Sequence, residues 1–190
     1  MTSERIWAPW RLSYVQHDKS VSEPDASQVD LLPGADPGCF LCRAAACEDH
    51  QQVLVVLRGT HCVTLLNRYP YNNGHLLVAP RRHVGQLSRL DPETHLELSL
   101  TVARMTEVLR KLLNAQGFNV GLNLGRAAGA GVPDHLHWHI VPRWTGDTNF
   151  MPTLAGINVI PQSLEALWES LRAEVQTCPA SQAARPARLG

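Results

Sequence analysis

The sequence predicts an α+β domain on an antiparallel sheet, because short β-type runs precede one long amphipathic helix and further β-type runs follow it. Val53–Leu57, Cys62–Leu66 and His75–Pro80 are the first three strands, rich in Val and Leu. Tyr69-Pro-Tyr-Asn-Asn-Gly74 supplies the turn before the third, since Asn and Gly tolerate positive φ. A helix is expected over 92–116, with Asp91 as cap and Pro92 in its first turn. Leu98, Val102, Met105, Leu109 and Leu112 form its main apolar stripe. Leu96, Leu100 and Ala103 make a smaller second patch, which predicts burial on two sides. Phe118–Leu124 and His135–Pro142 are two further strands, joined by the glycine-rich Gly125-Arg-Ala-Ala-Gly-Ala-Gly-Val132. Pro161 is expected to open a last helix carrying Leu164, Leu167, Trp168 and Leu171 along one side.

The bulk numbers narrow the function classes. A chain of 190 residues, 44% hydrophobic and 18% charged, suits one globular domain with modest extensions. Net charge is zero, whereas a protein that neutralises many nucleic-acid phosphates carries a basic excess, so no nucleic-acid partner is expected. A small phosphorylated ligand needs only a few placed donors and stays open. No apolar run has bilayer length, and Glu4, Arg5 and Arg11 interrupt the opening segment, so a cytoplasmic protein without a membrane partner is expected. Residues 1–37 read as an arm and linker, 38–178 as the domain and 179–190 as a tail. Trp7, Trp10 and Tyr14 are expected to pack the arm against the body. Five cysteines, an odd number, argue against a disulfide framework. Cys39-x-x-Cys42 therefore has three readings: half of a metal site, a redox pair, or two reduced thiols beside Phe40 and Leu41.

The chemistry concentrates in Asp134-His-Leu-His-Trp-His-Ile-Val-Pro142. Alternate side chains of a strand share a face, so His135, His137 and His139 project together while Leu136, Trp138 and Ile140 face a core. An imidazole with one nitrogen tied to backbone can attack phosphorus with the other, giving a transient phosphoramidate. The preceding loop suits an anion, because the amides of Gly129, Ala130 and Gly131 have no large side chains in the way. Exposed surface histidines are the competing explanation. Arg143 could meet phosphate or an interface carboxylate, or simply be solvated. Asp147 sits in a Gly-Asp-Thr-Asn turn, where stabilising the turn competes with contacting substrate.

His135-Leu-His137-Trp-His139-Ile-Val141 resembles the histidine-triad (HIT) family motif, three histidines alternating with hydrophobic residues. The resemblance extends through residues 66–80, 117–125 and 142–150, and is strongest to the branch that cleaves diadenosine tetraphosphate (Ap4A). It implies a five-stranded antiparallel sheet with two main helices, usually in a symmetric dimer. It implies catalytic roles for His137 as the nucleotidylated nucleophile, for His139 at the α-phosphate or bridging oxygen, and for His75 in support. Asn67 falls at a ribose-contacting position and Asn123 at a phosphate-loop position. The resemblance also completes Cys39 and Cys42 with His83 and His135 as a closed, structural Zn2+ set.

The sequence departs from the family where many relatives carry Gly-Gln-Ser/Thr before the triad. Here Ala130-Gly131-Val132 offers only backbone. The expected function is cleavage of a dinucleoside polyphosphate or related purine nucleotide at phosphorus, with phosphate or water as acceptor. Hydrolysis of nucleoside phosphoramidates or adenylylated amines, and nucleotide binding without turnover, are the alternatives.

Overall fold

The structure, a computed structural model, describes residues 29–147 and 162–178. Trp7, Trp10, Tyr14, Pro161 and the 179–190 tail lie outside the described residues. The elements in chain order are α1 (Phe40–Ala46), β1 (Val55–Arg58), β2 (Cys62–Leu66), β3 (Leu76–Pro80), α2 (Pro92–Leu113), β4 (Gly117–Leu122), β5 (Trp138–Arg143) and α3 (Leu164–Thr177). The five strands form one sheet in the order β1-β2-β3-β5-β4, and all four pairings are antiparallel.

Both faces of the sheet are covered. Leu66, Leu76, Val78 and Ile140 meet Leu98, Met105 and Leu109 of α2 and Leu167 and Leu171 of α3 in one core. Val55, Val63, Leu65, Leu77 and Ala79 face the other way, onto Leu41, Ala44 and Ala45 of α1. Val29, Leu32 and Ala35 pack against this second core, so chain expected to be linker takes part in the packed body. α1 itself was not anticipated; seven residues are too few for helical periodicity to show.

The long helix starts as expected, with Asp91 Oδ1 accepting the Thr94 amide N–H at 2.7 Å. It ends at Asn114, which adopts a left-handed conformation with φ 51°. The second patch is not buried: Leu96 is 61% and Leu100 46% exposed. α3 is held instead by Arg104, one turn beyond Leu100, which donates to the carbonyls of Val175 at 2.7 Å and Cys178 at 2.9 Å. The last helix is capped by Ser163, whose hydroxyl accepts from the Ala166 amide at 3.2 Å. α3 also seals the β1 edge. Trp168 Nε1–H donates to the Val55 carbonyl at 2.9 Å and Arg172 to the Val56 carbonyl at 3.3 Å, where the β1–β2 register shifts. β4 is the other edge, and there Val120 is 47% exposed.

Candidate active site

The histidine segment is shorter as a strand than expected. β5 begins at Trp138, and His135 and His137 precede it. The chain turns at Val132–Asp134, His135 N–H bonds back to the Val132 carbonyl at 3.3 Å, and Leu136 N–H bonds to the Val84 carbonyl at 2.8 Å. Residues 83–85 therefore hold the first two histidines outside the ladder. Gly85 permits that contact, since a Cβ there would lie 2.9 Å from Asp134 Cα and from the Pro133 carbonyl oxygen. Its importance was not apparent from the sequence, where it is one glycine among many. The alternation persists nonetheless, with Leu136 and Ile140 in the core and the three histidines on the α1 side.

Hydrogen bonding assigns each imidazole proton. His137 Nδ1 lies 2.8 Å from the His135 carbonyl oxygen; a carbonyl only accepts, so Nδ1 carries the proton and Nε2 keeps its lone pair. His75 Nδ1 accepts from the Tyr71 amide at 3.1 Å and sits 3.2 Å from Asn67 Nδ2. His75 Nε2–H then donates to His139 Nδ1 at 2.9 Å, which places the His139 proton on Nε2. That Nε2 is buried with no hydrogen-bond partner among the described residues. The His137 and His139 rings are 5.1 Å apart between centroids. The structure thus brings His75, His137 and His139 together, with a lone pair on His137 Nε2, a hydrogen on His139 Nε2 and His75 bonded to His139.

Burial favours the neutral form of both the His137 and His139 imidazoles. Burial holds His137 below the usual histidine value against the opposing bond to the His135 carbonyl. Burial, then the positive charge His137 would carry, lowers His139 from 6.5 to about 4. Tyr71 is an addition that the sequence did not signal. Its ring lies 4.8 Å from His75 and 5.9 Å from His139 between centroids, nearly parallel to the latter.

Asn67 is engaged at both polar atoms, its Nδ2 with His75 and its Oδ1 with the Tyr69 amide at 3.0 Å. Asn123 is half-buried one residue beyond β4. The glycine loop is less open than its composition implied. Gly129 N–H donates to the Arg126 carbonyl at 2.9 Å and Ala130 N–H to the Gly125 carbonyl at 3.3 Å, so these two amides are already used. Ala130 is also buried, because the loop folds into a short turn between left-handed Gly125 and Gly129. Gly131 N–H has no backbone acceptor among the described residues.

Cys39, Cys42, His83 and His135 also converge. Their ligand atoms all lie within 4.8 Å of one another. Cys39 Sγ is 3.3 Å and Cys42 Sγ 3.5 Å from His135 Nδ1, and Cys42 Sγ is 3.2 Å from His83 Nδ1. The donor set fits a tetrahedral ion with metal–sulfur bonds of about 2.3 Å and metal–nitrogen bonds of about 2.0 Å. His135 Nε2–H donates to the Pro80 carbonyl at 2.8 Å, the orienting contact that metal-binding histidines use, and it leaves Nδ1 as the ligand atom. Without a cation, burial pushes the Cys39 thiol up to about 12. These four residues form a group able to hold a metal.

The family model of the HIT domain matches residues 48–146, which include the histidine segment just described. The chain belongs to the HIT family. An AP-4-A phosphorylase of Mycobacterium tuberculosis is 38% identical over 161 residues, spanning 85% of this HIT chain and 78% of that protein. An asymmetrical bis(5'-nucleosyl)-tetraphosphatase of Schizosaccharomyces pombe is 38% identical over 93 residues, 49% of this chain and 50% of that one. Among solved structures, a Zn-bound histidine triad family protein from Mycobacterium smegmatis superposes with TM-score 0.54 at 28% identity, over 65% of this chain and 84% of that one. Among the described residues of this HIT protein, no helix is long and apolar enough to cross a membrane.

Proposed function

We propose that this HIT protein cleaves dinucleoside polyphosphates of the Ap4A type by nucleotidyl transfer through His137. The observation that carries the reading is the pair of assigned protons, with a lone pair on His137 Nε2 beside a hydrogen on His139 Nε2. His137 Nε2 attacks the α-phosphorus, a P–N bond forms, and the P–O bond to the departing nucleoside polyphosphate breaks. The His139 Nε2–H donates a hydrogen bond to the oxygen that gains charge. The imidazolium formed at His137 keeps its Nδ1–H on the His135 carbonyl, which disperses the positive charge. An oxygen of inorganic phosphate or water then displaces His137, breaking the P–N bond and restoring the free imidazole. The M. tuberculosis and S. pombe relatives, whose names specify phosphorolysis and hydrolysis of such substrates, support this class.

The same proposal places a zinc ion at Cys39, Cys42, His83 and His135. When bound, a closed Cys2His2 shell supplies structural cross-linking and no open coordination position. Phosphate contacts fall to Gly131 and Asn123, and the ribose side to Asn67. The functional unit is proposed as a homodimer, for which the β4 edge, uncapped among the described residues, with exposed Val120 and Leu124 nearby, is the candidate surface.

The test is incubation of purified protein with Ap4A, with and without inorganic phosphate, beside His137→Ala. ADP plus ATP formed only with phosphate is the expected result for a phosphorylase. AMP plus ATP without phosphate makes the protein a hydrolase. No His137-dependent product in either tube would overturn the reading and direct attention to phosphoramidates or to nucleotide binding without turnover.

A further inference from the structure

Tyr71 lies against both members of the His75–His139 pair. The three ring centroids form a nearly even triangle: Tyr71 is 4.8 Å from His75 and 5.9 Å from His139, and the imidazoles are 5.1 Å apart. The phenol plane is inclined 31° to His75 and 24° to His139, although the two imidazoles are tilted 42° to each other. A ring close to both and nearly parallel to both spans the bond between them, His75 Nε2–H to His139 Nδ1 at 2.9 Å. His75 is fully buried, whereas Tyr71 is 43% exposed. An apolar ring over a buried pair, with its polar end turned outward, is an arrangement that suits tyrosine.

The chain around Tyr71 is fixed on both sides. Asn67 Oδ1 accepts the Tyr69 amide at 3.0 Å, and Pro70 restricts the φ that follows. Asn72 Nδ2 donates to the Pro142 carbonyl and to Asp147 Oδ2, each at 3.1 Å. The Asn72 carbonyl accepts the His75 amide at 3.2 Å. The Tyr71 amide itself donates to His75 Nδ1 at 3.1 Å. One residue thus supplies the donor that sets the His75 proton on Nε2 and the ring that lies across the bond this proton makes.

Water is what would undo that bond. It offers an acceptor to His75 Nε2–H and a donor to His139 Nδ1, so it competes for both ends. His139 could then carry its proton on either nitrogen, and the hydrogen on Nε2 would no longer be assured. The bond is also electrostatically stronger away from water.

We infer that the Tyr71 ring is the cover that keeps water off the His75–His139 bond and so holds the His139 proton on Nε2. Tyr71 is on this view a positioning residue, acting through its ring and not its hydroxyl. The inference rests on the nucleotidyl-transfer reading above and adds what keeps the donor of that reaction in its required tautomer.

The experiment compares full-length wild type with Tyr71→Phe, Tyr71→Ala and Tyr71→Gln. All three keep the main-chain amide; Phe keeps the ring, Ala removes it and Gln puts polar atoms in its place. Proton and nitrogen NMR of the folded proteins reads the exchange of His75 Nε2–H with water and the tautomer of His139. Wild type and Tyr71→Phe should show slow exchange and His139 as Nε2–H. Tyr71→Ala and Tyr71→Gln should exchange at least roughly tenfold faster and show mixed tautomers. With Ap4A and inorganic phosphate, their kcat should fall roughly tenfold with KM within about twofold, and Tyr71→Phe should match wild type. Should Tyr71→Ala not fold, Tyr71→Gln carries the same comparison. Wild-type exchange and tautomer in the ring-less variants overturn the cover. A loss in Tyr71→Phe equal to that in Tyr71→Ala also overturns it, by giving the role to the hydroxyl. Mixed tautomers with unchanged turnover overturn the positioning role. Wild type without turnover fails the parent reading instead, while the NMR comparison still decides the cover.

Discussion

The imidazole of His137 is tied to His135 by a single hydrogen bond, Nδ1–H to the carbonyl oxygen at 2.8 Å. His135 is in turn fixed by the Pro80 carbonyl on one ring nitrogen and by two thiols on the other. The orientation of the His137 ring is therefore built on the Cys39–Cys42–His83–His135 group. Metal analysis should find about one zinc per chain, and Cys42→Ser should lose it. Metal loss should lower the melting temperature by about 5 °C or more, with a fall in turnover. Full metal content in Cys42→Ser, or a metal-free protein with unchanged melting and turnover, would contradict the link.

In the proposed reaction His75 is a positioning residue, acting through its bond to His139. Replacing it with Phe removes the acceptor for the Tyr71 amide and the donor to His139 Nδ1 together. Turnover should drop roughly 10- to 100-fold with KM little changed. The discriminating readout is the nitrogen NMR spectrum of His139, where wild type should show Nε2–H and the variant a mixture of tautomers.

Acid sensitivity follows from His139. Its folded pKa of about 4 lies below the ordinary 6.5, so the unfolded chain takes up this proton first as pH falls. Its contribution to stability should be intact above about pH 6.5, decline between 6.5 and 4, and change no further below. His75, His137 and the Tyr71 ring are the groups that face it. Urea titrations across that window should show a shallower slope for His139→Asn than for wild type. Equal slopes would mean that other groups carry the acid response.

Glu97 offers a test of fold separate from chemistry. Its Oε1 accepts the amides of His61 and Cys62, each at 2.9 Å, and so pins the β1–β2 turn to α2. Burial would raise its carboxyl pKa, but hydrogen bonds from the Cys62 thiol and these two amides hold it below the usual range. Glu97→Ala should destabilise the protein by about 1–3 kcal/mol while activity per folded molecule is unchanged. Urea unfolding beside the Ap4A assay checks both halves.

Much of the site was legible because alternation is a property of adjacent residues. The order His-Leu-His-Trp-His separates core from site wherever backbone is extended, so His137 and His139 could be placed before any fold was known. The Asp91 cap and the main stripe of α2 were legible for the same local reason. The departure of His135 and His137 from the strand ladder was not, since it depends on Val84 and Gly85, some fifty residues away. Nor was the loop's use of its own amides at Gly129 and Ala130, because composition states which donors exist and not which are already bonded. The exposure of Leu96 and Leu100 shows the same limit: periodicity identifies an apolar patch but not whether anything covers it.

The sealing of β1 by Trp168 and Arg172 bears on the order in which the chain is made. During synthesis, every histidine of the site and all five strands leave the ribosome before the helix that closes the first edge. Until that helix arrives, the carbonyls of Val55 and Val56 lack their Trp168 and Arg172 donors and can bond to a passing strand. A nascent chain halted before residue 162 would hold His75, His137 and His139 on a sheet whose β1 edge still lacks the Trp168 and Arg172 donors. The last helix thus closes the unit against its neighbours on the polysome, a task distinct from anything it does in catalysis.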